Sequence, residues 1–260
     1  MRIITLITDY GLKDHYLAGL KAAIYAKVPE ARIIDISHEV AKFNVSEASY
    51  LLKNSFSHFP EGTFHLIGVT GSQAKKNRYL LIYFKKQFIL TPDNGLFRLF
   101  TDEDPQVMYE IQHNGNSSPL FLSEVMIDAV VKIIDNAPAE EIGDQTSRFV
   151  ELISYQPVVT ATGITGRCIY VDSFGNVITN ITEQLFHEVG GGRRLSIHVP
   201  GDEINEISET YSDVGGGDVL ALFNSGGNLE IAINGEHAAK MIFPRNLNQK
   251  DFQITIEFDE

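Results

Sequence analysis

Apolar residues in the first half of the chain follow two alternating rhythms. Nearly continuous, β-branched runs read as buried strands: RIITLIT (2–8), ARIIDIS (31–37) and TFHLIGVT (63–70). Between them, HYLAGLKAAIYAKV sets Tyr16, Leu17, Leu20, Ile24 and Val28 at helical spacing. VSEASYLLKNSF predicts a second helix, capped by Ser46. YLLIYF and QFILT predict a hairpin, and LSEVMIDAVVKIID a further helix. This alternation predicts a parallel or mixed sheet covered by helices.

After about Ala137 the rhythm changes. Residues 137–163 are poor in helical periodicity, and seven short β-like runs follow: GRCIYVD, NVITNI, RLSIHV, DVLALF, LEIAI, AKMIF and QITIEF. Several alternate apolar and polar residues, as a half-buried antiparallel sheet does. The glycine triplets at 190–192 and 215–217 read as loops or bulges, since no helix signal follows either. The expectation is an α/β domain over 1–150, a linker over 151–163 and an all-β domain over 164–260.

Charge and composition narrow the function. The net charge of −13 is uneven: residues 1–150 carry 15 Lys and Arg against 18 Asp and Glu, residues 151–260 only 6 against 16. Such a surface repels phosphate backbones, which excludes a nucleic-acid partner and leaves room for a small cationic or zwitterionic ligand. Cys168 is the only cysteine, so neither an internal disulfide nor a Cys-based zinc site can form; it reads as a small buried apolar residue. The eight histidines have no metal-binding spacing, and no metal or other cofactor is expected. No run approaches the ~20 apolar residues of a membrane span. The opening MRIITLITDYG reads as a first strand rather than a signal peptide, giving an expected cytoplasmic location with no membrane partner.

Candidate chemistry is sparse, with neither a P-loop nor a dinucleotide fingerprint. Asp9 falls at the carboxyl end of the first strand, the edge where open α/β sheets bind ligands. A carboxylate there can accept both hydroxyls of a ribose diol, or serve as a turn or cap residue; Asp14 can equally start the helix. In YVDSFGNVITN, alternation sets Asp172, Phe174 and Asn176 on one surface if the strand stays regular. That surface would suit a purine and an ammonium group, although polar caps of a strand–turn–strand are the plainer reading. Asn224-Ser225-Gly226 reads first as a hairpin turn, with Ser225 able to bind a carboxylate instead.

Six ordered blocks carry a resemblance over nearly the whole chain: LITDYGLKDHYLAGLKAAI, IIDISHEVAKFNVSEASYLL, FPEGTFHLIGV, TPDNGLF, YVDSFGNVITNI and NSGGNLEIAINGEHAA. Together they resemble the S-adenosylmethionine hydrolase (hydroxide adenosyltransferase) family, which includes the S-adenosylmethionine-dependent chlorinase and fluorinase. The resemblance implies an N-terminal α/β domain and a C-terminal antiparallel β-barrel. It also implies a homotrimer with ligand sites between subunits, and S-adenosylmethionine as substrate or ligand. The implied reaction is attack on ribose C5′, by water giving adenosine and methionine or by halide giving a halogenated nucleoside. Asp9 matches the family's ribose-binding aspartate and Asp14 the second acid of that motif. Phe43 matches an aromatic over the ribose and sulfonium. Asp172 matches the ammonium holder and Asn176 an adenine reader, with Phe174 beside them. Ser225 matches a carboxylate contact, Tyr211 an adenine-stacking place, and Asn234 with Gly235 the last ligand-lining block.

The loop after the third strand departs from that pattern. Where hydrolases have Val-Asp-Pro-Gly-Val-Gly and then arginine, this chain reads VTGSQAKKNR. Thr70 replaces the aspartate, Asn77 the arginine unless Arg78 substitutes by a one-residue slip, and Leu122 the histidine. Thr70, Ser72 and Gln73 could supply neutral donors for an anion there, as could the loop's backbone N–H groups. The departure admits a slow hydrolase, a ligand binder without turnover, or halide transfer; for halide the loop lacks the expected aromatic residues.

Overall fold

The computed structural model describes residues 2–70, 78–113, 121–242 and 252–259, with the backbone alone at 121–123. The chain divides into two compact units, residues 1–153 and 154–260.

The first unit contains β1 (Arg2–Thr8), α1 (Tyr16–Lys27), β2 (Ala31–Ser37), α2 (Val45–Ser55) and β3 (Phe64–Gly68). There follow β4 (Tyr79–Phe84), β5 (Gln87–Pro92), α3 (Leu96–Phe100), β6 (Val107–Ile111), α4 (Phe121–Ile134), α5 (Ala139–Ile142) and β7 (Gly143–Gln145). Its seven strands are ordered β2-β1-β3-β5-β4-β6-β7. β1 is parallel to β2 and β3, and β3 to β5; β4 and β5 form the expected antiparallel hairpin. Strand alternation gives the sheet two apolar faces. Ile4, Leu6, Phe64 and Leu66 pack with Leu20 and Ile24 of α1 and Val130 of α4. Ile7, Ile67 and Ile89 pack with Leu52 of α2 and Phe97 of α3. The result is the expected mixed sheet covered by helices.

Local chemistry corrects two expectations here. α2 is capped by Asn44, whose side chain accepts from Glu47 N at 3.4 Å; Ser46 lies one residue inside the helix. Asparagine wins because Glu47 also binds back, through Asn44 Nδ2 (3.0 Å) and Ala41 N (3.2 Å). The stretch after Ala137 is not featureless: α5 and β7 complete the sheet edge, β7 pairing with β6.

The second unit comprises β8 (Val158–Val159), β9 (Gly163–Val171), β10 (Val177–Thr182), α6 (Glu183–Gly190), β11 (Leu195–Val199) and β12 (Asp202–Ile204). β13 (Val219–Phe223), β14 (Asn228–Ile233), α7 (Ala238–Ile242) and β15 (Gln253–Phe258) complete it. The path β12-β11-β15-β9-β10-β14-β13 is antiparallel throughout and nearly closes into a barrel, with β8 paired to β9. Ile164, Val177, Ile197, Ile231, Ile254 and Ile256 fill its interior, together with Cys168. Burial pushes the Cys168 thiol up to about 12, so it is neutral and unreactive, as its sequence reading expected.

Two helices interrupt the all-β expectation. α6 begins at Thr182, whose hydroxyl accepts from Leu185 N, and stops at Gly191, which takes the left-handed φ of +57° that a helix-ending residue needs. The triplet 190–192 therefore ends a helix rather than bulging a strand. Within AKMIF, Ala239–Ile242 are helical in α7 rather than a strand, because a short apolar run cannot by itself reveal its period; Phe243 lies outside the described residues. No helix among the described residues is long and apolar enough to cross a membrane.

Candidate functional site

In the first unit, chain order β1, β2, β3 against spatial order β2-β1-β3 makes the carboxyl ends of β1 and β3 a topological switch point, where such sheets bind ligands. Thr8, the last residue of β1, pairs with Gly68, the last of β3. Asp9 and Thr70 therefore lie just beyond neighbouring strand ends. Asp9 is 8% exposed. Its Oδ2 accepts from Phe43 N at 2.9 Å, and its carbonyl accepts from Lys42 Nζ. Among the described residues no hydrogen bond reaches its Oδ1, which leaves one carboxylate oxygen for a ligand hydroxyl.

Phe43 is 66% exposed and has φ +62°, a left-handed conformation costly for a side chain of its size. The bond from Phe43 N to Asp9 holds it there. Asp14 is exposed, short of the helix; α1 starts at Tyr16 with His15 at the cap position and no side-chain cap. Its reading as a helix-start residue is therefore not supported by a hydrogen bond.

The stem of the altered loop is firmly held. Asn94 Nδ2 donates to Val69 O at 2.7 Å, pinning the end of β3 before the exposed Thr70. Arg78, at the far end of the loop, donates to Asp93, to Glu110 (2.7 Å) and to the carbonyl of Arg148 (2.6 Å). Asp93 is 1% exposed and also accepts from Val150 N at 2.7 Å. The Arg78 guanidinium is thus spent on scaffold, not offered to a ligand. Ser72, Gln73 and Asn77 lie outside the described residues, as does the side chain of Leu122, whose backbone is in the first turn of α4.

In the second unit, the Asp172–Asn176 stretch does not stay a regular strand. β9 ends at Val171, and Asp172 organises a tight turn: its Oδ1 accepts from Phe174 N (3.0 Å) and Asn176 N (2.8 Å), and its Oδ2 from Asn176 Nδ2 (3.0 Å). The three residues converge through this turn and not by strand alternation. Gly175 has φ +91°, and a Cβ there would sit 2.1 Å from the His237 ring. That close approach, with Ala239 N donating to Gly175 O at 2.8 Å, docks the turn on the Asn234–His237 block. Phe174 is 78% exposed, an aromatic face with no protein covering it.

Tyr211 rides a single 3₁₀ turn closed by Thr210 and Asp213, and its hydroxyl donates to Glu230 Oε1 at 2.7 Å. Glu230, on β14, is only 3% exposed. Burial raises its carboxyl above the usual range, and the nearby Asp172 charge adds to that, while hydrogen bonds from Tyr211 and Asn224 oppose it. Burial likewise raises the Tyr211 phenol, followed by the effect of Glu230, so it remains a neutral donor. Asn224 closes the turn bearing the exposed Ser225, its Oδ1 accepting from Gly226 N (3.0 Å) and Asn228 N (3.2 Å). Asn234 Nδ2 holds Val214 O at 2.9 Å, leading into the Tyr211 turn. The outcome is a concentrated negative patch beside two aromatic rings, suited to a cation carried on a flat heterocycle.

Sequence reasoning missed Glu230 and Lys42, while Asn224 closes the turn it was read to form. Glu230 had a signal: it is the only charge in the apolar run LEIAI of a strand buried on both faces. Lys42 had none, since its partner is a backbone carbonyl.

Comparison with known proteins bears on both units. Family models described as the SAM hydroxide adenosyltransferase N-terminal domain and C-terminal domain match residues 4–143 and 166–243. An (R)-S-adenosyl-L-methionine hydrolase of Thermus thermophilus is 27% identical over 250 residues, covering 90% of this chain and 92% of the relative. A fluorinase of Actinopolyspora mzabensis is 24% identical over 285 residues, covering 95% and 94%. The crystal structure of an uncharacterized conserved protein from Thermotoga maritima superposes with a TM-score of 0.82 at 30% identity, covering 98% of this chain and 99% of that one.

Proposed function

This chain belongs to the SAM hydroxide adenosyltransferase family, and from that premise we propose that it cleaves S-adenosylmethionine at ribose C5′ with water, slowly, to adenosine and methionine. The observation that carries the reading is Asp9: a nearly buried carboxylate at the switch point, held by Phe43 N and presenting one open oxygen. The negative patch of Asp172 and Glu230 supports it, because the methionine end of the substrate carries an ammonium.

In the reaction, the water oxygen bonds to C5′ as the C5′–S bond breaks, its electron pair returning to sulfur as a neutral thioether. The water proton then leaves to solvent. In-line placement supplies much of the acceleration, and sulfonium is already a good leaving group. A positioned base contributes ~10²–10⁴-fold. Thr70 has a hydroxyl that can orient water but cannot take its proton near neutral pH, which is why the proposed turnover is slow.

The substitution at Thr70 also favours a second reading, nucleoside binding without turnover. Incubating the protein with S-adenosylmethionine, with and without chloride, and following nucleosides by mass spectrometry separates the two. Adenosine above the protein-free control supports hydrolysis. Its absence, alongside measurable binding, replaces the first reading with the second, and a 5′-chlorinated product would replace both. In this proposal the half-sites meet between neighbouring subunits of a homotrimer; a monomer in analytical ultracentrifugation would defeat that part. Asp9→Ala should weaken adenosine binding by about 1–3 kcal/mol, since ribose hydroxyls lose their acceptor. Unchanged affinity would remove Asp9 from the site.

A further inference from the structure

Two buried polar chains in the first unit take no part in the proposed reaction. One, Thr5–His65–Gln87, lies within the sheet. The other lies against Asp9. Thr8, 1% exposed, has its hydroxyl 2.8 Å from His38 Nδ1, and His38 is itself 5% exposed. Tyr10 N donates to the same hydroxyl oxygen at 3.4 Å. The other ring nitrogen, Nε2, lies 3.0 Å from Asp35 Oδ1 without hydrogen-bond geometry. Asp35 is in turn held by Lys21 at 2.6 Å. The backbone of the same histidine does a second job: its carbonyl accepts from Gly11 N at 2.7 Å.

His38 thus grips the chain on both sides of Asp9, through Thr8 before it and Gly11 after it. A carboxylate that must meet two vicinal hydroxyls tolerates only about half an ångström of misplacement. The bond from Phe43 N fixes Asp9 Oδ2 alone; the flanking backbone must be fixed by something else. We propose that His38 is the positioning residue of the nucleoside site, holding Asp9 so that its open oxygen faces the ribose. This rests on the assignment of Asp9 to the ribose, and the test separates the two.

Calorimetric titration with adenosine and with 2′,3′-dideoxyadenosine gives a discrimination ratio that reads the diol contact alone. The wild-type protein should favour adenosine at least tenfold. In His38→Asn the amide falls where Nδ1 was and can keep the Thr8 bond; in His38→Gln it reaches the Asp35 side and loses Thr8. We expect His38→Gln and Thr8→Val to lose about fivefold or more of the ratio, and His38→Asn to restore it to within about twofold of wild type. Both histidine variants keep the backbone bond to Gly11, so similar melting temperatures are expected. Undiminished discrimination in folded His38→Gln would overturn the positioning role while leaving Asp9 in place. Equal loss in the Asn and Gln variants would also overturn it, since only general packing would then be at stake. A wild-type protein that does not discriminate would overturn the ribose assignment itself, and this proposal with it.

Discussion

Acidification should destabilise the first unit through His65. This residue is fully buried on β3, its Nδ1 2.7 Å from Thr5 Oγ1 and its Nε2 2.8 Å from Gln87 Oε1. Phe56 and Phe59 pack against its ring. Gln87 Oε1 can only accept, so Nε2 carries the proton and Nδ1 accepts from Thr5. A second proton, on Nδ1, would turn the Thr5 hydroxyl from donor to acceptor and leave a charge buried among aromatic rings. Burial accordingly pushes the folded pKa from 6.5 down to about 4, the Gln87 bond opposing only in part. Above the unfolded value both states are neutral and the contribution is complete. As pH falls from about 6.5 to about 4 the unfolded chain takes up a proton that the folded chain refuses, and stability is lost. The loss is about 2 kcal/mol by pH ~5 and about 3 kcal/mol in full. Urea unfolding at pH ~7 and pH ~5 should show the midpoint falling by about 1 M. Glu230 works in the opposite sense: its raised carboxyl makes ionisation costly as pH rises through the folded value, so the comparison belongs in a Glu230→Gln background. An imidazole resonance of His65 that titrates near 6.5 in the folded protein would refute the reasoning.

Arg78→Met should cost about 3–5 kcal/mol, because Asp93 would remain buried without its cation; a melting temperature unchanged in calorimetry would show that this pair does not hold the loop stem. Gly175→Ala should lose about 1–3 kcal/mol and weaken nucleoside binding, since it places a methyl against His237 at φ +91°, and unaltered stability and affinity together would contradict the docking of that turn. Thr70→Asp combined with Leu122→His should raise adenosine formation at least tenfold by restoring a base. No gain in the mass-spectrometric assay would mean that the loop backbone no longer presents position 70 to C5′.

What was legible in the sequence is what burial writes into it. ARIIDIS and QITIEF begin and end where β2 and β15 do, because each run is as long as its pairing with the neighbouring strand. Helix α1 was readable from Leu20, Ile24 and Val28, which all turn inward. AKMIF was not, since so short a run fits either period and only hydrogen bonds such as Lys240 N to His237 O decide the matter. The candidate residues came from matching blocks, but their geometry was hidden. Nothing in AKFN announces that Phe43 adopts a left-handed φ, because the cause is Asp9, 34 residues earlier. The plainer strand–turn–strand reading of YVDSFGNVITN holds, and the alternation does not, because a carboxylate that binds two amides ahead of it overrides the alternation of its neighbours.

The pattern of what is kept and what is changed has a physical logic. Two of the contacts that fix Asp9 have backbone donors: Phe43 N to its carboxylate, and the Gly11 N to His38 O bond beside it. Backbone donors survive substitution of the residues that carry them, so a binding site built this way is hard to lose piecemeal. In the proposed reaction water activation would depend instead on side chains, and the family resemblance puts Thr70, Asn77 and Leu122 at those places. Losing a base lowers a rate by orders of magnitude yet leaves ground-state affinity nearly intact, because the base acts only as charge develops on the attacking water. Affinity and turnover are therefore separable in this chain, and their ratio is the quantity that decides between an enzyme and a binder.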